Sequence, residues 1–301
     1  MQPSMAATLP QTSITHTTDH RAVAMIMARW AQLGVLFSYL GIFLTESGFT
    51  AMEVGFLYTF LMAGMTGGAY TIPVMADYFQ AHVWAAILSH AMSSLTMVLF
   101  YITPRGRFTV AACIMFVGSF FNGGYGPLVD SAVFQICAKH KTRTNFGQIR
   151  LWGCVSWGIC VYAVSFLMEI LNSVDVMWLA YSVLAPCASF FSYLLLRAEF
   201  PSGKKGVRGG GGKESESMLS SIQRFVMFPL TVPFMSVIMT LGALFATLNT
   251  YVYIWAVQDL GASYQQIGIA TVVLNSCEVR QRVDSFILKA LHARLLAPSL
   301  P

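Results

Sequence analysis

Seven stretches of about 20 or more mostly apolar residues, with almost no charge inside them, dominate this sequence. A helix rises about 1.5 Å per residue, so about 20 residues cross the roughly 30 Å hydrocarbon core of a bilayer. The chain is 56% hydrophobic and 10% charged, whereas a soluble domain has about 25% charged residues. These stretches are therefore predicted to be membrane spans, and the chain to be an all-α polytopic membrane protein.

Most of the basic residues lie in the connections between the predicted spans. The spans cover residues 22–43, 52–73, 83–102, 108–137, 148–170, 177–196 and 233–257. With a cytoplasmic N-terminus, ten basic residues in or next to the connections face the cytoplasm and only Arg105 and Arg107 face outside. Because cytoplasmic loops are enriched in Lys and Arg, the N-terminus is predicted to be cytoplasmic. The choice between the plasma membrane and an organelle stays open.

The layout divides the chain into five regions. They are a cytoplasmic N-terminal tail (1–21), a six-helix transmembrane bundle (22–196), a basic glycine-rich cytoplasmic linker (197–226), the start of a C-terminal bundle (227–278) and a divergent tail (279–301). The fourth region holds helix seven and an incomplete helix eight, because charged residues arrive about a dozen residues after Gln266. For the tail, an interfacial helix and an unstructured end left by truncation or an altered reading frame are both open.

A short repeat supports the division into two bundles. Residues 48–55 read Gly-Phe-Thr-Ala-Met-Glu-Val-Gly, and residues 261–268 read Gly-Ala-Ser-Tyr-Gln-Gln-Ile-Gly in the same register. In a capping box, a Ser or Thr caps the new helix while a Glu or Gln three residues later bonds back to the cap. The repeat predicts such a box at Thr50 with Glu53 and at Ser263 with Gln266, each after the first span of its half.

Ionisable side chains at membrane depth are costly, so each one requires a reason. Arg29 lies about two turns into the first span, where it could snorkel to the headgroups or bind a solute. Asp130 and Arg150 are predicted to neutralise each other, because the fourth and fifth spans are predicted to be antiparallel neighbours. Trp157 lies on the same helix face as Arg150. These four residues are the candidate solute-binding set, with a structural ion pair and an interior tryptophan as the alternative.

Five further residues are predicted to have structural or gating roles. Asp77 closes the second span, where it could pair across the following loop. Gly64 and Gly68 form a small-xxx-small pair that favours close helix packing over gating. Gly124 and Pro127, just before Asp130, are expected to loosen or bend the fourth helix.

Two stretches of the sequence carry a resemblance to a known family. They are residues 122–130, Asn-Gly-Gly-Tyr-Gly-Pro-Leu-Val-Asp, and residues 145–157, Asn-Phe-Gly-Gln-Ile-Arg-Leu-Trp-Gly-Cys-Val-Ser-Trp. They resemble helices four and five of the lactose permease branch of the Major Facilitator Superfamily and its eukaryotic permease-like relatives. The resemblance implies that Asp130, Arg150 and Trp157 supply the carboxylate, the guanidinium and the stacking indole of a sugar site. The chain departs from the superfamily at Asp77, which lacks the basic residues that follow in the usual loop signature. Asp at position 130 also replaces the Glu of lactose permease, so galactoside specificity does not follow.

The resemblance implies a secondary active transporter for a small polar solute, with a sugar as the candidate solute and a proton as the candidate coupling ion. In that family the proton-handling residues lie in helices eight to ten, beyond the spans predicted here. Alternating access needs two bundles, so this polypeptide is expected to transport only if it self-associates or pairs with a second half-transporter. A truncated, non-transporting membrane interaction protein is the alternative.

Other classes of function have little support in the sequence. A seven-helix receptor would place its C-terminus on the opposite side from the one predicted here. No metal-ligand spacing, nucleophile elbow or phosphate loop points to an enzyme, and no cofactor or metal is predicted. The basic residues form no aromatic-interleaved stripe, so nucleic acid is not an expected partner.

Overall fold

The computed structural model describes residues 20–102, 106–139, 146–199, 227, 231–277 and 280, and they form a bundle of long helices. Seven of these helices are α1 (His20–Glu46), α2 (Ala51–Phe79), α3 (His82–Ile102), α4 (Phe108–Lys139), α5 (Phe146–Leu171), α6 (Val176–Glu199) and α7 (Thr231–Gln258). An eighth helical stretch, α8, covers residues 264–277. The fold is therefore all-α throughout the described ranges.

The helices follow the apolar stretches of the sequence closely. Within the described ranges, five helices are long and apolar enough to cross a membrane, namely α1, α3, α4, α5 and α6. The predicted limits of α3 and the predicted start of α4 agree with the structure to within one residue. Helices α2 and α7 have 29 and 28 residues, but they are not among the five, so their crossing of the membrane stays a prediction. The chain is a multi-pass membrane protein.

Helix α1 lies at the centre of the bundle and packs against α5, α6 and α7. On the other side, α4 packs against both α2 and α3, whereas α4 and α5 barely touch. The prediction that α4 and α5 are close neighbours is therefore wrong. A short connection limits how far apart two helix ends can be, but it does not make the helices pack along their length.

Two apolar clusters fill the bundle at different levels. One is built around Tyr39, Leu57 and Trp178, and the other around Met25, Tyr125 and Val133. The segment of α1 between the clusters carries the polar and aromatic side chains of the candidate site. The fold thus holds those side chains between two well-packed apolar layers.

The predicted capping box at the start of α2 is confirmed. The hydroxyl of Thr50 accepts a hydrogen bond from the Glu53 amide at 3.3 Å, and the Thr50 amide donates to the Glu53 carboxylate at 2.8 Å. Gly48, two residues earlier, has a φ of +91°, a left-handed conformation that favours glycine.

The second capping box is confirmed with the same geometry. The Ser263 amide donates to Gln266 Oε1 at 3.0 Å, and the Gln266 amide donates to Ser263 Oγ at 3.3 Å. Gly261 has a φ of +64°, again two residues before the cap. The two repeats therefore share both their caps and the turn that precedes them, as expected for a parallel repeat.

Helix α8 packs against α5, where Gly268 lies close to Ser165, and Ile267 is buried in the Tyr39 cluster. Its 264–277 stretch is about 21 Å long at 1.5 Å per residue, shorter than a roughly 30 Å hydrocarbon core. Nearly all of the predicted tail (279–301) and of the predicted linker (197–226) lies outside the described residues.

Candidate solute site

An ion pair joins α1 to α4 inside the bundle. Arg29 Nη1 lies 3.1 Å from Asp130 Oδ1, with the two side chains 13% and 36% exposed. Gly126, one turn before Asp130, gives the guanidinium its space, since a Cβ placed on Gly126 would lie 2.6 Å from Arg29 Nη2. The charged hydrogen bond offsets much of the cost of placing each group at this depth.

Arg150 does not pair with Asp130, contrary to the prediction. Its guanidinium instead lies over the indole of Trp30, with Cζ 5.2 Å from the ring centroid. The reason is the helix arrangement: α1 packs along α5 while α4 lies away from it. Asp130 therefore meets an arginine from α1, and Arg150 meets an aromatic ring from α1.

Trp157 lies in the same cluster as Arg150, but Trp30 is between them. The Trp30 and Trp157 ring centroids are 5.8 Å apart, and the rings are tilted by 55°. Arg150, Trp30 and Trp157 thus form a continuous stack along the interface of α1 and α5. We refer to these three residues as the aromatic stack.

Two glycines make room for the aromatic stack. A Cβ on Gly153 would lie 2.7 Å from Trp30 Cγ, and a Cβ on Gly34 would lie 2.8 Å from Trp157 Cγ. Distances below about 3.0 Å force one group to move. Each tryptophan therefore requires a glycine on the facing helix.

The buried ring of Tyr125 contacts the guanidinium of Arg29. Arg29 Cζ lies 5.4 Å from the ring centroid of Tyr125, and the Tyr125 hydroxyl is hydrogen-bonded to Ser192. The imidazole of His90 stacks on Tyr125 at 4.3 Å, and its Nε2 lies 3.2 Å from the Ala185 carbonyl oxygen. Ser192 and His90 thus hold the Tyr125 ring in place against Arg29.

Sequence reasoning missed Trp30, Tyr125, His90 and Gly126. For Trp30 a signal was present, because it follows Arg29 directly and Gly153 lies on the same face of α5 as Arg150 and Trp157. Gly126 is one turn from Asp130 and also shares its face. For Tyr125 and His90, no spacing pattern in the sequence links the two residues.

The structure places the residues with predicted structural or gating roles at packing contacts and helix ends. Gly64 lies against Phe116 and Ser119 of α4, and Gly68 lies against the backbone of Phe120. These contacts bring the α2 and α4 backbones close together, as small residues do in membrane helices.

The other three residues of that set lie at the end of α2 and in the middle of α4. Asp77 Oδ1 is 3.5 Å from Nε2 of His82, the first residue of α3. Gly124 faces Ile72 of α2. Pro127 is exposed, and α4 continues through it without a break in the helix.

The site is a cluster of two guanidinium groups, one carboxylate and two indoles. Arg29 Nε and Arg150 Nε are both buried and have no hydrogen-bond partner among the described residues. Guanidinium N–H groups bind hydroxyl and carboxylate oxygens, and indole faces pack on the apolar face of a ring. The arrangement can therefore bind a small solute that has both polar edges and an apolar face.

Comparison with known proteins agrees with this architecture. The model of the MFS_1 like family matches residues 24–280. The lactose permease of Citrobacter freundii is 27% identical over 103 residues, which is 34% of this chain and 23% of the permease. The chain thus matches less than a quarter of the length of that relative, and no solved structure matches it significantly. Because the family match covers most of the sequence, the chain belongs to the MFS_1 like family of Major Facilitator membrane transporters.

Proposed function

We propose that this chain acts in secondary active transport of a small polar solute by alternating access. A sugar is the candidate solute, because the matched relative is a lactose permease, and a proton is the candidate coupling ion. The observation that carries the proposal is the Arg29–Asp130 ion pair beside the aromatic stack. Both lie inside a bundle whose outer surface is largely apolar.

The site is proposed to bind the solute with residues from α1, α4 and α5. Trp30 or Trp157 would pack on the apolar face of a ring, and Arg150 would donate to its hydroxyl oxygens. Asp130 retains acceptor capacity, because one of its two carboxylate oxygens bonds Arg29 and its side chain is 36% exposed. In this proposal the N-terminus is cytoplasmic, and α7 and α8 begin the bundle that faces the site.

Alternating access uses two bundles, and two partners are proposed here for the six-helix bundle of this chain. One is a second half-transporter, and the other is a second copy of this chain. The matched capping boxes support two related halves, because each box follows the first span of its half.

Uptake by reconstituted protein tests the proposal. If a second copy of the chain supplies the second bundle, the chain alone in proteoliposomes should take up labelled lactose in a saturable way. Uptake should be faster when the exterior is acidic, and a protonophore should remove this acceleration. Arg150→Lys should reduce uptake at least about tenfold, since a lysine cannot form the planar fork. Arg197→Gln is the matched control, because Arg197 also lies over an aromatic ring, Tyr193, but on the exposed end of α6.

Binding measured in parallel separates the site from the pathway. Lactose that binds the chain in nanodiscs without uptake would support the site and overturn transport by this chain alone. The absence of both binding and uptake, with folded protein, would overturn the proposed function for this solute class.

A further inference from the structure

We propose that the solute is an anion and that Arg150 binds its carboxylate. The inference rests on the proposed function, and it adds the charge of the solute and the residue that recognises it. It follows from the way contacts among α1, α4 and α5 pair the charges of the site.

The described interior of the first six helices has one more guanidinium than carboxylate at this level. Asp130 is 3.1 Å from Arg29, so these two groups neutralise each other. His90 stacks on Tyr125 and lies against the Ala185 carbonyl, contacts that a neutral imidazole makes without an acid nearby. Arg150 remains, and no Asp or Glu among the described residues lies within 4.0 Å of its nitrogens.

Arg150 is held in place in a way that leaves its fork available. The Trp30 indole contacts the guanidinium, which stabilises a cation through the ring quadrupole. That contact does not satisfy N–H groups in the guanidinium plane, and the buried Nε has no partner in the described part of the chain. A planar group oriented by a ring, with unsatisfied donors at its edge, matches a carboxylate in two parallel hydrogen bonds.

A neutral solute that excludes water from the site would leave the positive charge of Arg150 uncompensated. The free-energy penalty for an unpaired charge grows as water is excluded, and a carboxylate on the solute would remove that penalty by pairing with Arg150. Arg29 is a weaker candidate for this role, because Asp130 already neutralises its charge. The pairing in the structure therefore assigns the anion to Arg150 and leaves Asp130 to the hydroxyl groups of the solute.

A pair of glycosides that differ only in charge tests the inference. The probes are methyl β-D-glucuronide and methyl β-D-glucoside, and binding is measured by titration of the chain in nanodiscs. The glucuronide should bind at least about tenfold more tightly, the ratio expected of one charge-assisted bidentate contact. Arg150→Gln should abolish the preference, Arg150→Lys should keep part of it, and Arg197→Gln should leave it unchanged.

Each outcome separates this inference from the proposed function. Equal or tighter binding of the glucoside would overturn the anionic solute and leave sugar transport standing. A preference that survives in Arg150→Gln would overturn the role of Arg150. Failure of both glycosides to bind would overturn the inference alone if lactose uptake persists, and it would overturn both proposals if uptake is absent too.

Discussion

Trp30 of α1 packs directly on Gly153 of α5, and the same contact recurs one turn further along with the residue types exchanged. There, Trp157 of α5 packs on Gly34 of α1. The two contacts have the same register, because both pairs are 123 residues apart in sequence. Each helix thus contributes one tryptophan and one glycine four residues apart, and α1 and α5 are fixed relative to each other at the level of the site.

We expect Gly153→Ala to destabilise the protein by about 1–3 kcal/mol, because the new methyl group would overlap the Trp30 ring and force it to move. Trp30 is in contact with Arg150, so solute binding should also weaken. Thermal unfolding in detergent measures the first effect. Gly147→Ala is the control on the same helix: nothing lies within 4 Å of its Cβ position, so stability should stay equal or rise. Equal effects of the two changes would contradict the packing argument.

Asp130→Asn should destabilise the protein by about 1–3 kcal/mol, because it leaves the Arg29 guanidinium at depth without its charge partner. The double variant Arg29→Gln with Asp130→Asn should recover much of that loss, since it removes both charges. A double-mutant cycle on melting temperatures measures the coupling.

Asp77→Asn is the surface control for that cycle. Asp77 is 73% exposed and 3.5 Å from His82, so its change should stay within about 0.5 kcal/mol. An additive cycle at Arg29 and Asp130, with no coupling, would show that the ion pair contributes nothing to stability.

The sequence predicted the helices well because apolar length and caps are local properties. The limits of α3 depend on residues within that helix and its flanking turns, and the capping boxes involve residues three apart. The pairing of side chains from different helices is not a local property, because it depends on which helices pack together. Asp130 pairs with Arg29, 101 residues away, and only the central position of α1 makes this contact possible.

The aromatic stack shows the same limit. Arg150 and Trp157 share one face of α5, which helical periodicity predicts. The residue between them, Trp30, comes from α1. The local sequence of an apolar helix does not show whether a tryptophan in it faces lipid or a neighbouring helix. Gly153 was the available signal, because a glycine between two functional residues leaves space for a large side chain opposite.

Thr50→Ala and Ser263→Ala should each cost about 0.5–2 kcal/mol, since each removes a hydroxyl that accepts a helix amide. The matched exchanges Thr50→Ser and Ser263→Thr keep the hydroxyl, so each should cost only a few tenths of a kcal/mol. Thermal unfolding of the four variants compares them directly. If the alanine and hydroxyl variants melt together at either site, the cap at that site contributes nothing to stability.

The end of α1 is joined to the start of α8 by Tyr264, whose hydroxyl donates to Glu46 Oε1 at 2.6 Å. Beside it, the Gln265 amide donates to Glu169 Oε2 at 3.4 Å. Two carboxylates from the six-helix bundle thus lie at the positive N-terminal end of α8, where helix dipole and hydrogen bonding favour them.

Loss of the first bond should release the start of α8 from the bundle. Hydrogen exchange in Tyr264→Phe should therefore speed up about 3- to 10-fold for the amides of residues 264–268, since a charge-assisted bond at an exposed site contributes about 1 kcal/mol. Tyr251→Phe is the matched control, because the Tyr251 hydroxyl reaches only a backbone oxygen, that of Ala51, at 3.4 Å. Glu46→Gln should reproduce the Tyr264→Phe result in part, since an amide oxygen still accepts. Unchanged exchange in both Tyr264→Phe and Glu46→Gln would mean that the Tyr264–Glu46 bond does not hold the start of α8 on the bundle.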